Sequence, residues 1–387
     1  MNSERLFDLV LLGATGFTGG LTAEYIAQNG PKDLKWAIAG RNRERLAEVK
    51  ARLEHETSSH IDIVIADTTD TSSLESLAEK TRVLITTVGP YSEHGWGVVK
   101  ACVQKSTDYV DITGEPLFVN RVRYELHEEA QKAKIRVVNC CGFDSIPHDL
   151  GVLFTVKQLA DGGAKSVDGF VSAHGEFSGG TWHSAIGAMA NLGGMKKAAK
   201  SPRKKDGKVV RSTAKKIHLN KDLNRWAVPL PTIDPKVVCR SAKELDMYGT
   251  EFNYGHYLGF RSFIKVAGLL GSMAGIVTAA QIPPLRKLAL RFKKQGDGPS
   301  EAKRAESWFK VRFVGRAQGK KIVTQVSGGD PGYTETAKML AESGLCLAFD
   351  REQLPETYGV LTTAVAMGEP LTERLIKAGI KFETIED

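Results

Sequence analysis

The residues best placed to do chemistry follow apolar runs. Gly13, Ala14, Thr15, Gly16, Phe17, Thr18 and Gly19 come directly after the run Leu9, Val10, Leu11, Leu12, and a stretch of helical spacing follows them. A glycine-rich turn between a strand and a helix offers free backbone N–H groups and the positive end of the helix dipole, which suits a pyrophosphate. The spacing here is G-x-x-G-x-x-G, and we assign it as a dinucleotide-binding loop. Dinucleotide sites that take NAD usually carry an acid about 20 residues further on, to bind the ribose 2′-hydroxyl. This chain has Arg41 there, with Arg43 and Arg45 beside it. A guanidinium can pair with a 2′-phosphate and lie against the adenine, so the pattern predicts NADP(H). Asp67, after the third run, can accept from the adenine amino group or cap the next helix, a task for which Ser72 competes.

Further along, Gly89 and Pro90 follow the fourth run and are expected beside the nicotinamide ribose, where glycine lets the backbone come close. Tyr91 and His94 would then face the cleft, where either could donate a proton; a packed aromatic and a surface histidine are the plainer readings. Gly142, Phe143 and Asp144 follow the sixth run and are expected on the nicotinamide side, with Asp144 or Ser145 also able to cap the helix that Pro147 starts. Adjacent Cys140 and Cys141 are expected not to point into the core together, and neither has an activating base nearby in sequence.

The elements that must hold these residues can be read from periodicity. Apolar runs at 9–12, 34–39, 61–66, 83–88, 109–112 and 135–139 alternate with helical patterns near 18–29, 43–53, 73–79, 97–105 and 118–134. Repeated strand–helix units with continuous apolar strands predict a parallel sheet with helices on both faces, and ligands bind such sheets beyond the carboxyl ends of the strands. The fold class is therefore α/β, with a Rossmann-type sheet in residues 1–150. A strand-like segment at 167–178 leads to Gly179-Gly180-Thr181 and an expected helix to about 192. Segments 308–316 and 320–327 alternate around Ala317-Gln318-Gly319, a hairpin pattern. With 248–257 they predict a second, α+β domain (151–330) on a mixed, largely antiparallel sheet that shapes a substrate pocket. Helices are expected at 334–348 and 371–378. His174 and His183 are read as structural rather than catalytic.

Bulk properties narrow the function classes. At 387 residues, 42% hydrophobic and 25% charged, the chain is long enough for two ordinary globular domains. The net charge of +8 is local: residues 196–221 hold eleven Lys/Arg and one acid, and taking these from the chain's 53 basic and 45 acidic residues leaves 42 and 44. No nucleic-acid partner is therefore expected, and the stretch reads as a mobile basic surface loop. Five cysteines without C-x-x-C spacing predict a reducing, cytoplasmic setting and no metal site; no signal peptide is apparent. Residues 266–285 carry no charge and lie between basic flanks. They are expected to be a buried or subunit-interface helix, a peripheral membrane contact through 261–294, or a true span, in that order.

Several of these motifs together resemble the saccharopine dehydrogenase-like oxidoreductases, and more closely the trans-acting enoyl reductases of lipid-associated polyketide synthesis. They are GATGFTG (13–19), AGR (39–41), TVGPY (87–91), TGE (113–115) and CGFDSIPHDLG (141–151), continued by GEFSGGT (175–181), GDPGYTETAKML (329–340) and GVLTTAVAMGEPLTERL (359–375). Thr363 stands where the family usually has proline, and His148 where serine is usual. The resemblance implies that the helices of 331–387 return to the first domain. It also implies an NADPH-dependent reductase acting on an enoyl thioester; from their place after the fourth run, Tyr91, then His94, are the expected proton source. The substrate would be a small molecule or an acyl-carrier-tethered one, drawn by the basic loop, and a homodimer is compatible. An imine or amino-acid oxidoreductase and a non-catalytic, NADP-binding, membrane-associated scaffold are the alternatives.

Overall fold

The computed structural model describes residues 5–175, 207–213, 215–281 and 298–385. The strand–helix units form as the periodicity predicts: β1 (Phe7–Leu12), α1 (Phe17–Asn29), β2 (Trp36–Gly40), α2 (Arg43–Glu56), β3 (Asp62–Ile65), α3 (Thr71–Glu79), β4 (Thr81–Thr86), α4 (Tyr91–Gln104), β5 (Asp108–Asp111), α5 (Pro116–Lys132) and β6 (Arg136–Val138). α6 (Ile146–Val156) and β7 (Ala164–His174) follow. Then come β8 (Val209–Ser212), β9 (His218–Asn220), β10 (Arg225–Pro229), α7 (Asp234–Glu244), β11 (Glu251–Phe260) and α8 (Phe263–Gln281). After residue 297 the chain runs through α9 (Glu301–Glu306), β12 (Trp308–Ala317), β13 (Lys320–Gly328), α10 (Thr334–Phe349), β14 (Gly359–Leu361), α11 (Thr363–Ala366), α12 (Gly368–Lys377) and β15 (Lys381–Thr384).

The first sheet is wholly parallel, in the order β14-β6-β5-β4-β1-β2-β3. Its strands read as unbroken apolar runs because both faces are covered. Leu9, Leu11, Ile38, Val83 and Ile85 pack into one core with Met339, Leu340 and Leu345 of α10. Their chain neighbours Val10, Leu12, Ala37, Ala39 and Leu84 pack on the other face with Leu74, Val98, Val99 and Val122. Chain direction across the sheet reverses between β1 and β4, so the crevice for a dinucleotide lies beyond their carboxyl ends.

The second sheet runs β15-β13-β12-β7-β11-β10-β9, with β8 also on β11. It is mixed and largely antiparallel: β7 and β8 pair parallel with β11, while the other ladders, including the expected β12–β13 hairpin, are antiparallel. α6 seats directly on this sheet. A side chain at Gly151 would come within 2.4 Å of the Phe313 ring. One continuous core therefore joins the two sheets through α6 and α10.

Four expectations need correction. The basic stretch is not all loop, since β8 and β9 lie within it and add to the second sheet. α6 begins before residue 150 yet packs on the second sheet. The C-terminal segment covers the first sheet with α10 and extends it with β14, but it also gives β15 to the second sheet. Cys140 and Cys141 are both buried, because Cys140 takes φ +65° and breaks the strand alternation. Burial raises both thiols far above their usual pKa, so neither is an activated nucleophile. Among the described residues no helix is long and apolar enough to cross a membrane. On α8, Val266 is buried while Phe263, Ile264 and Leu270 are exposed. The helix expected at 181–192 and His183 lie outside the described residues.

Asp149 of α6 is fully buried and ties three distant segments together. Its carboxylate accepts from the Ser241 hydroxyl of α7 at 2.6 Å, and from the Thr363 hydroxyl and Ala364 amide of α11, each at 2.8 Å. Burial raises its pKa, and these donors oppose the rise. Asp149→Asn turns an amide N–H₂ toward a donor. It is expected to cost about 2–4 kcal/mol in denaturant-induced unfolding, against about 1 kcal/mol for Thr363→Ala.

Candidate functional site

The glycine loop is built by close packing. Gly13 has φ +102°, and a side chain there would lie 2.7 Å from Thr87 Oγ1. A side chain at Gly19 would lie 2.0 Å from the Gly13 carbonyl oxygen, so only glycine lets α1 sit this close to the turn. Gly16 is the N-cap of α1 and supplies no capping side chain. Thr15 and Gly16 are exposed, Phe17 and Thr18 half-buried and Ala14 buried, so the first helical amides lie at an open, uncapped N-terminus. The residues fit a pyrophosphate.

Arg41, Asp67 and His94 gather at one end of this edge. Asn42 caps α2 by accepting from the Arg45 amide at 2.8 Å, which leaves the exposed Arg41 outside the helix. Asp67 caps no helix; Asp70 caps α3 through the Ser72 amide. Instead Asp67 accepts from the Thr69 amide at 2.9 Å and the Thr69 hydroxyl at 2.8 Å. Those two bonds, then the positive charge of Arg41 and of His94, hold its carboxyl below the usual range. The half-buried His94 thus stands with the 2′-phosphate side of the predicted site.

Tyr91 does not face the cleft. It is buried, its ring packs on Phe118 at 5.7 Å, and its hydroxyl donates to the Thr86 carbonyl at 3.0 Å. Burial raises its pKa far above that of free tyrosine, so the hydroxyl expected to give up a proton is part of the core. Gly89 is exposed, and the Gly89–Pro90 peptide is cis. The turn is fixed from the side by Glu115, whose carboxylate accepts from the Tyr91 amide at 2.8 Å and the Ser92 amide at 3.0 Å. Glu115 therefore caps α4 from the next βα turn, a role that TGE as a motif does not reveal.

The turn after β6 is anchored from two sides. Asp111 accepts from the Thr113 and Cys140 amides, the Tyr109 hydroxyl and the Asn139 amide, all within 3.1 Å. Gly142 lies against Thr336, which accepts from the Phe143 amide at 3.1 Å. The Phe143 ring meets Phe309 edge-on at 5.0 Å. Asp144 is exposed and sits beside Gly114. Crowding of its carboxyl against the protein, then the charge of Asp234, raise its pKa, less than full burial would because the residue is open to water. Neither Asp144 nor Ser145 caps α6; the Ser145 hydroxyl is buried without a partner.

Residues 329–336 also belong to the site. Asp330 accepts from the amides of Gly332, Tyr333 and Thr334 and fixes the start of α10. Tyr333 then meets the Phe17 ring edge-on at 4.8 Å, and the Arg304 guanidinium lies over the same Phe17 ring, 5.5 Å from its centre. An Asp-Pro-Gly-Tyr-Thr run before an apolar segment is a helix-start signature, and it was the signal available for this role.

Residues 9–138 match the family model for the saccharopine dehydrogenase NADP binding domain, and NADP(H) is accordingly the cofactor of this domain. Gly19→Ala is expected to displace the Gly13 turn and weaken NADPH binding at least about tenfold by titration calorimetry, with the circular dichroism spectrum retained. The structure of a yeast saccharopine dehydrogenase (L-Glu forming) shares the fold, with a TM-score of 0.56 at 15% identity over 98% of this chain and 99% of that one. The trans-acting enoyl reductase of Mycobacterium ulcerans is 31% identical over 98% of each chain. The saccharopine dehydrogenase-like oxidoreductase of Rattus norvegicus is 31% identical over 99% of this chain and 98% of its own. Likeness over nearly the whole length of these relatives, with the NADP-binding domain at residues 9–138, shows that the chain belongs to the saccharopine dehydrogenase-like oxidoreductase family.

Proposed function

We propose that the protein is an NADPH-dependent reductase of the C=C bond of an enoyl thioester in lipid or polyketide metabolism. The observation that carries this is likeness to a trans-acting enoyl reductase along essentially the whole of both chains. NADPH supplies a hydride when bound. The chain's own residues do the rest. The 13–19 loop holds the pyrophosphate, Arg41 the 2′-phosphate, and Gly89 and Gly142 let backbone approach the nicotinamide end. With Tyr91 turned inward and His94 at the Arg41 end, Asp144 is the acid that suits the proton delivery to the α-carbon, because it is exposed at the β6 turn on the expected nicotinamide side.

Purified protein should oxidise NADPH with an enoyl thioester and not with an imine; the reverse preference would favour the amino-acid oxidoreductase reading, and no turnover with either the scaffold reading. Arg41→Ala is expected to lower kcat/KM for NADPH by about 10- to 100-fold and leave that for NADH nearly unchanged, as loss of a charge-assisted contact to the 2′-phosphate requires.

A carrier-tethered substrate suits the basic 196–221 stretch, since acyl carriers and phosphopantetheine are anionic. In its described part Lys208 and Arg211 are paired with Asp246 and Glu251, so Lys215, Lys216 and Lys221 are the better candidates for the contact. Reversing those three charges should raise KM for a carrier-bound substrate and spare a short free thioester; equal KM values for both would remove the carrier from the account.

A further inference from the structure

His148, Asp234 and His256 are far apart in sequence but meet in the core. They come from the first turn of α6, the first residue of α7 and the middle of β11, and their side chains are 1%, 2% and 1% exposed. His148 Nδ1 lies 3.2 Å from Asp234 Oδ1, and His256 Nε2 lies 3.4 Å from Asp234 Oδ2. Neither approach has hydrogen-bond geometry. Both ring nitrogens of His148, Nε2 of His256 and Oδ1 of Asp234 are buried without a hydrogen-bond partner. Orphaned buried polar atoms are costly singly, and four in one spot call for a common partner.

The spacing identifies that partner. Nitrogen and oxygen ligands arranged tetrahedrally around Zn²⁺ at about 2.0–2.1 Å stand roughly 3.3 Å apart. The His148 Nδ1–Asp234 Oδ1 separation of 3.2 Å is close to this value, and one ligand atom from each of the three residues lies within 4.8 Å of the others. Two of the three ligands, His256 and Asp234, are held from behind as metal ligands usually are. The other ring nitrogen of His256, Nδ1, is hydrogen-bonded to the Tyr254 hydroxyl at 3.1 Å, which leaves Nε2 to bind. The Thr232 hydroxyl donates to Asp234 Oδ2 and orients the carboxylate.

We propose that His148, Asp234 and His256 bind one divalent first-row transition-metal ion, Zn²⁺ by preference. Two imidazoles and one carboxylate suit Zn²⁺ over Mg²⁺ or Ca²⁺, which take oxygen ligands. The ion would cross-link α6, α7 and β11 four residues beyond Asp144, and so stiffen the helix that carries the β6 turn. Cysteine spacing gave no hint of it, because no cysteine takes part.

Full-length protein, purified without chelator and dialysed against Zn²⁺ or Co²⁺ and then metal-free buffer, tests this. Elemental analysis should find about one equivalent of metal per chain. The Co²⁺ form should show the visible absorption of a tetrahedral nitrogen/oxygen site, and chelation should lower the melting temperature. His148→Ala and His256→Gln should each abolish stoichiometric binding, whereas removal of the exposed His60 and the half-buried His218 should not. The Co²⁺ spectrum needs no variant, so a misfolded mutant leaves the test intact. Folded wild-type protein that retains no metal, or metal that departs with His60 and His218, would overturn the proposal and leave the three residues as a charge-sharing network.

Discussion

The buried carboxylate of Asp149 is the interaction on which the arrangement of the molecule rests. A charge inside a core is tolerated only when its lone pairs are met, and removing one partner leaves the charge uncompensated. Asp149 meets its partners by recruiting Ser241 from α7 and Thr363 and Ala364 from α11, with the Ser241 hydroxyl also bonded to Thr362 at 2.6 Å. Those contacts span more than 200 residues of chain. They close only when the second sheet and the C-terminal segment have both docked on α6. Because α6 starts at the β6 turn, the same carboxylate also anchors the helix that leaves that turn. Thr363 supplies one of the three donors through its side chain, a bond that no apolar residue at this position could make.

The site itself is assembled from turns that lock one another. Gly19 presses on the Gly13 carbonyl, and Gly13 presses on Thr87. Glu115 of the β5 turn caps the helix that leaves the β4 turn, and Asp111 of β5 gathers the amides at the β5 and β6 exits. Each loop is therefore held by its neighbour in the sheet rather than by its own residues. Preorganisation of this kind lowers the ordering cost of binding a long, flexible cofactor across several loops.

How much of this the sequence reveals depends on whether a contact is local. The β1–β6 units were legible because unbroken apolar strands and glycine turns are local features, and Arg41 was legible because its distance from the loop is fixed by one βα unit. The hairpin at Gln318-Gly319 was legible for the same reason. β8 and β9 were hidden because their charged residues mark a solvated stretch; β8 also pairs with the distant β11, Val209 with Glu251, whereas β9 pairs with β10 across a short turn, Asn220 with Arg225. Tyr91 misled because its place after Pro90 suggests the cleft, whereas its orientation is decided by Phe118 and the Thr86 carbonyl. Asp149, Glu115 and the His148–Asp234–His256 group were invisible as partners, since nothing local tells a buried carboxylate from a helix-turn acid.

The start of α10 ties the C-terminal segment to two loops of the first domain. Tyr333 touches Phe17 after β1, and Thr336 touches Gly142 and Phe143 after β6, although β1 and β6 are separated by β4 and β5 in the sheet. At about 4.8 Å per strand that separation is roughly 14 Å, and one helical turn of α10 with its two side chains reaches across it. The helix start therefore lies over the carboxyl edge between the two outer loops and limits how far a ligand there can extend. Its N–H groups are already met by Asp330, so this helix end adds no second anion site beside the 13–19 loop. The start of α1, by contrast, is open to solvent and carries no capping side chain, so its first amides stay available at the 13–19 loop.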